Sequence, residues 1–140
     1  ELHVPARLPE DYLPDVHARL ILYKRIAGAS SPNDLRELRE EVIDRFGIFD
    51  GMVENLFRIA LLKIESLKLG LKRIDLGSRG GVSEFGPNPQ VDPRQVIALV
   101  QRDTCYRMDG GDRLRVVRNL PDAESRFSEI TAVLDSLKEL

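Results

Sequence analysis

The sequence predicts an α+β fold, an N-terminal helical bundle followed by antiparallel β-hairpins with two further helices. Three observations carry that prediction. Apolar residues recur at steps of three and four through residues 14–70. The period shortens to two in Leu71-Lys72-Arg73-Ile74-Asp75-Leu76 and again in Gly81-Val82-Ser83-Glu84-Phe85. Two glycine-bearing segments, Ser78-Arg79-Gly80-Gly81 and Asp109-Gly110-Gly111-Asp112, supply turn chemistry between strand-like runs.

Residues 1–13 read as a connecting segment, a short strand-like piece and then a proline-punctuated link. With no initiating methionine and no signal-like stretch, the chain is expected to be a C-terminal or internal piece of a longer protein. The helical half, residues 14–70, opens at Pro14 and Asp15. Its first helix carries Val16, Leu20, Tyr23 and Ala27 as the expected buried stripe and ends at Gly28. In Ser31-Pro32-Asn33-Asp34, Ser31 can accept from free backbone donors and Pro32 sits where its missing N–H costs nothing. The second helix then buries Leu35, Leu38, Val42 and Phe46, and Gly47 stops it with a left-handed residue. The third helix runs from about Gly51 to Leu69, with Val53, Leu56, Ala60, Ile64 and Leu67 expected inward and Gly70 ending it.

The α/β half, residues 71–140, begins with the first hairpin. Asp92 and Pro93 open a short helix to about Arg102, with Val96, Leu99 and Val100 apolar. Tyr106-Arg107-Met108 and Arg113-Leu114-Arg115-Val116-Val117 form the second strand pair. A last helix, about Asp122 to Glu139, buries Phe127, Ile130, Leu134 and Leu137.

At 140 residues the chain fits one domain, 1–140, long enough to bury a core without staples. An apolar fraction of 42% with 31% charged residues places it among folded globular chains. A net charge of −2 argues against binding nucleic acid directly through a broad basic face. One cysteine, Cys105, allows no internal disulfide and fits a reducing, cytoplasmic setting. No apolar run approaches the roughly 18 residues that span a bilayer, so no membrane partner is expected.

Catalytic groups are scarce. The sequence has neither a phosphate-binding Gly-x-x-x-x-Gly-Lys-Ser/Thr loop nor a Gly-x-Gly-x-x-Gly turn after a strand. His3 and His17 stand in no ligand spacing with Cys105, so no metal and no cofactor is expected. Cys105 could pair with His17 as a nucleophile, but a small residue at a strand edge is the plainer reading. Asp11 and Asp15 could do acid–base work, but they flank a proline turn, where caps are the common duty. Arg79-Gly80-Gly81 fits a hairpin requiring positive φ better than a nucleic-acid contact. With five Phe and three Tyr, several on apolar stripes, no base-stacking platform is indicated.

The second helix carries the distinctive surface. At about 100° per residue, Asp34, Glu37, Glu40, Glu41 and Asp44 gather opposite its apolar stripe, with Arg36, Arg39 and Arg45 on the flanks. Glu37, Glu41 and Asp44 are neighbours at spacings of four and three, where like charges repel unless something offsets them. A solvated polar side is one reading. A docking site for a basic surface, with Glu41 and Asp44 accepting arginine forks, is the other.

Leu8-Pro9-Glu10-Asp11-Tyr12-Leu13-Pro14-Asp15, Arg19-Leu20, Tyr23-Lys24-Arg25-Ile26-Ala27, Leu38, Glu41, Asp44-Arg45-Phe46-Gly47, Lys68-Leu69-Gly70-Leu71 and the Gly80-Gly81 hairpin stand in a characteristic order. In them the chain resembles the C-terminal domain of the bacterial transcription-repair-coupling factor, from about Ala6 through Leu120, with the last helix alike in pattern. Ile48-Phe49-Asp50-Gly51 departs from it, since the family usually places a proline there. The resemblance implies a parent that is an ATP-driven DNA translocase acting on stalled RNA polymerase and recruiting the UvrA ATPase. It implies that this domain is not an enzyme but a regulatory clamp. The clamp would dock on the parent's own N-terminal UvrB-like module and mask the surface UvrA uses. The family's contact carries over to Glu41 and Asp44, with Glu37 and Glu40 beside them. The alternatives are a module for an external repair or transcription partner, and a small ligand-binding or enzymatic domain built around Cys105, Tyr106 or His17.

Overall fold

In chain order the elements are α1 (Val16–Gly28), α2 (Pro32–Phe46), α3 (Gly51–Lys68), β1 (Leu71–Gly77), β2 (Gly80–Phe85), α4 (Pro93–Arg102), β3 (Tyr106–Asp109), β4 (Arg113–Val117) and α5 (Ala123–Lys138). They are drawn from a computed structural model that describes residues 1–138. The predicted α+β class is the observed one, and the expected end of the last helix at Glu139 lies outside the described residues. The helix starts follow from their caps. The Asp15 carboxylate accepts from the His17 backbone at 2.9 Å, Ser31 Oγ from Asp34 at 3.1 Å, and Asp92 from Arg94 at 2.9 Å. Asp122 and Ser125 cap α5 reciprocally, each side chain accepting from the other's backbone N–H.

The chain divides into two compact units, Pro5–Ile64, and Glu1–Val4 with Glu65–Leu140. The first unit has a core of Leu8, Leu13, Leu22, Ile26, Leu35, Leu38, Val42, Val53, Phe57, Ala60 and Ile64. The phase of α2 is the predicted one, with Val42 1% exposed and Phe46 half-buried at the rim. The phase of α1 is not. Leu22 and Ile26 are its buried residues, while Val16, Leu20 and Ala27 of the expected stripe are exposed and Tyr23 is half-buried. The cause is that α1 carries apolar residues on nearly every side, so two stripes of helical spacing compete and tertiary packing selects one. Gly28 is the last helical residue, and the chain leaves through Ala29 in an extended conformation. In α3, Val53, Ala60 and Ile64 are buried as expected, but Phe57 takes the place assigned to Leu56, which is half-buried, and Leu67 is exposed. That helix too is apolar on most sides, and its last turn turns Leu67 to solvent before Leu69 is buried.

The second unit holds a four-stranded antiparallel sheet in the order β1-β2-β4-β3. Ser78 and Arg79 form the loop of the first hairpin, closed by the pair Gly77 and Gly80. Gly80 has φ +99°, and a Cβ on Gly81 would lie 1.8 Å from the Asp75 carbonyl oxygen, so both glycines are required where strands approach closely. Leu76, Leu114, Val116 and Tyr106 are buried from the sheet, and Phe127, Ile130, Leu134 and Leu137 from α5. α4 packs against α5 and β3. The opening residues lie along β1: Leu76 N–H donates to the Glu1 carbonyl at 2.8 Å, and His3 Nε2 meets Asp75 Oδ1 at 2.8 Å.

Candidate functional site

The acids of α2 are presented on one side of the helix because Leu35, Leu38 and Val42 bury the other. Their surroundings differ sharply. Asp34 is used locally, accepting from Ser30 Oγ at 3.0 Å and Ser30 N–H at 3.3 Å, and the Ser30 bonds hold its carboxyl below its ordinary value. Glu37 accepts from Asn33 Nδ2 at 3.2 Å. Glu41 is half-buried and gripped by Arg25 of α1, which donates from Nη2 to Oε1 at 3.0 Å and from Nη1 to Oε2. Arg45 adds a cation 3.6 Å from Oε2. The Arg25 hydrogen bonds are the main cause that holds the Glu41 carboxyl below its ordinary value. Glu40 and Asp44 are exposed, and among the described residues they have no hydrogen-bond or ion-pair partner.

The arrangement therefore separates roles that the sequence had joined. Glu41 and Asp44 lie on adjacent turns, but the arginine fork on Glu41 comes from within the unit, bracing α1 against α2. Asp44 and Glu40 are the carboxylates open to an outside cation. Sequence reasoning missed Arg25, although a signal was there: once Leu22 and Ile26 are taken as the buried pair, Arg25 falls on the flank of α1.

Beyond α2 the chain makes a corner held by several contacts. Gly47 has φ 94° and ψ 178°, a region essentially reserved for glycine. Its N–H donates to Ile43 at 2.9 Å, and its carbonyl accepts from Tyr12 Oη at 2.6 Å. Phe49 stacks on Phe57 with ring centres 5.7 Å apart, under the Arg39 guanidinium at 4.9 Å. Asp50 accepts from Met52 N–H at 3.1 Å and so starts α3. These contacts hold the corner.

The residues considered for chemistry belong to different units. His17 is exposed on α1 in the first unit, and Cys105 directly precedes β3 in the second. Burial, more than the nearby Asp103, pushes the Cys105 thiol up, so it stays protonated at neutral pH. Tyr106 donates its hydroxyl to Glu129, and burial followed by that bond pushes its pKa up. Glu129, 5% exposed, also lies 2.6 Å from Arg118 Nε, which in turn reaches Asp103 through Nη2 at 2.7 Å. The Nε–H does not align on Glu129 as a hydrogen bond, so attraction there is coulombic rather than directional. This network fastens the unit around a buried Glu129, with Arg118 and Asp103 at its partly exposed rim. Among the described residues no three His, Cys, Asp or Glu side chains gather as metal ligands would, and no helix is long and apolar enough to cross a membrane.

Comparison with known proteins identifies the family. The TRCF domain family model matches residues 2–96. The transcription-repair-coupling factor of Escherichia coli (strain K12) is 38% identical over 140 residues, covering 99% of this chain and 12% of that protein. The transcription-repair-coupling factor of Haemophilus influenzae is 41% identical over 138 residues, covering 98% of this chain and 12% of that protein. A crystal structure of the C-terminal domain of a transcription-repair coupling factor superposes with a TM-score of 0.74 at 22% identity, covering 99% of this chain and 93% of that one, and shows the same fold. The chain thus spans about an eighth of the curated relatives it matches and belongs to the TRCF domain family of transcription-repair-coupling factors.

Proposed function

We propose that this domain is a non-catalytic, autoinhibitory part of a transcription-coupled DNA repair translocase. Its acidic α2 face docks on a basic surface of the parent's own UvrB-like module and masks the surface that UvrA would use. The observation that carries the reading is the pair of unpartnered carboxylates, Glu40 and Asp44, displayed beside Glu41, which Arg25 already holds. A rigid row of acids on a helix steers and specifies a basic partner without requiring a pocket. For such a clamp to be useful its closed state must be favoured by only a few kcal/mol, so that engagement of RNA polymerase elsewhere in the parent can reverse it.

Capture of full-length parent on immobilised UvrA tests the proposal. Asp44→Lys with Glu40→Lys leaves the fold intact, since both side chains stand in solvent, and should raise capture by roughly tenfold or more, the loss expected when close charge pairs are reversed. Capture at the wild-type level would remove the reading. Glu41→Lys is the less direct variant, because it also breaks the α1–α2 brace.

A further inference from the structure

Resting on that docking reading, we infer that Ile48 is an apolar anchor of the same interface, and that the basic surface it meets carries an apolar recess beside its cations. Among the described residues Ile48 is the most exposed large apolar side chain, at 89% against 60% for Leu67, the next. A single exposed isoleucine is ordinary on a loose loop, but this one is not on a loose loop. The Gly47 carbonyl is held by Tyr12 Oη at 2.6 Å on one side. Phe49 is stacked on Phe57 and covered by Arg39 on the other. Gly47 is exposed but its carbonyl is tied, Phe49 is half-buried in its stack, and Ile48 between them stands in solvent, so these contacts lower the freedom Ile48 would lose on association.

Ile48 follows the helix end four residues after Asp44. An interface built from carboxylates alone would have only rim energetics, weak and salt-sensitive. A buried aliphatic tip ringed by charged contacts is the arrangement that concentrates binding energy. The occupant is the upstream part of the parent chain. The acids of α2 select a basic partner surface, and this chain covers only 12% of its curated relatives, leaving most of the parent available to supply it.

The test uses full-length parent in the UvrA capture assay, with three variants beside wild type. Ile48→Asn removes the apolar tip without changing charge, Ile48→Leu keeps it, and Asp44→Lys reverses the neighbouring acid. The inference expects Ile48→Asn to raise capture roughly tenfold, from the loss of one buried aliphatic side chain, and Ile48→Leu to stay within about twofold of wild type. A rise with Asp44→Lys but none with Ile48→Asn would overturn the anchor while leaving the docking reading in place. No rise in either variant would remove both. A rise with Ile48→Asn alone would refute the acidic contact and, with it, the shared basic interface that the inference assigns to Ile48. Thermal melts of the same proteins should coincide, because Ile48 is in solvent. Should Ile48→Asn lower the midpoint, the inference is judged on Ile48→Ala, with the same rise expected.

Discussion

Replacing Glu129 with alanine probes a buried charge of the sheet unit that has two partners. The carboxylate accepts from the Tyr106 hydroxyl and lies 2.6 Å from Arg118 Nε, while its own side chain is 5% exposed. Three losses follow. The Tyr106 hydroxyl is left buried without an acceptor, about 1–3 kcal/mol. Arg118 keeps Asp103 at 2.7 Å and is 37% exposed, so its loss is discounted to about 1 kcal/mol or less. The missing methylene packing adds under about 1 kcal/mol. Together these give roughly 3 kcal/mol, the lower end of the range for breaking a buried ion pair. At a urea slope near 2 kcal/mol per molar, the midpoint falls by about 1.5 M. Equilibrium urea unfolding followed by far-UV circular dichroism is the assay. Glu129→Leu with Tyr106→Phe removes donor and acceptor together and should recover much of that loss. A Glu129→Ala midpoint within about 0.3 M of wild type, or additive effects in the double variant, would refute the network as a coupled fastening.

Other outcomes follow from the same geometry. Glu41 titrates below the ordinary carboxylate range because Arg25 donates to it, and in Arg25→Met its side-chain carbon resonance should titrate at a higher pH. Because the folded pKa lies below the unfolded value of roughly 4.3, the contact contributes fully above that pH and is lost as pH falls through the folded pKa. Acid should therefore loosen the α1–α2 brace in wild type, and this part of the acid response should vanish in Arg25→Met, as amide exchange of α1 would record. Gly81→Ala should abolish the first hairpin, because its Cβ has a carbonyl oxygen 1.8 Å away. Gly47→Ala meets open space and costs only backbone strain, about 1–3 kcal/mol by urea unfolding.

Where charges bracket each apolar residue, as around Leu35, Leu38 and Val42, the sequence displays a single stripe and the face of α2 can be read directly. Around α1 the same rule misleads. Val16, Leu20 and Ala27 are as regularly spaced as Leu22 and Ile26, and only the packing of the unit decides between them. That phase error hid Arg25, and with it the internal partner of Glu41. Turns were legible because Gly80 and Gly110, both at positive φ, announce them. The order β1-β2-β4-β3 was not, since pairing of β2 with β4 joins residues some thirty positions apart and leaves no local mark. The Glu129 network was equally silent. A glutamate on an apolar helix face shows as an irregularity, and its partners Tyr106 and Arg118 come from around the second hairpin. In the sequence Ile48 stood out only as the first residue of the loop Ile48-Phe49-Asp50-Gly51, read as departing from the resembled pattern. Its importance comes from the fixed corner, which only the contacts of Tyr12 and Phe57 reveal.

The most direct measurement of the docking claim is site-specific photo-crosslinking from position 44 in full-length parent. With the clamp closed, a photoreactive residue replacing Asp44 should form an intramolecular crosslink to the UvrB-like module, at a basic segment. Engagement of RNA polymerase should diminish it. A position-44 product confined to the domain itself, or found only with a separate protein, would contradict the account.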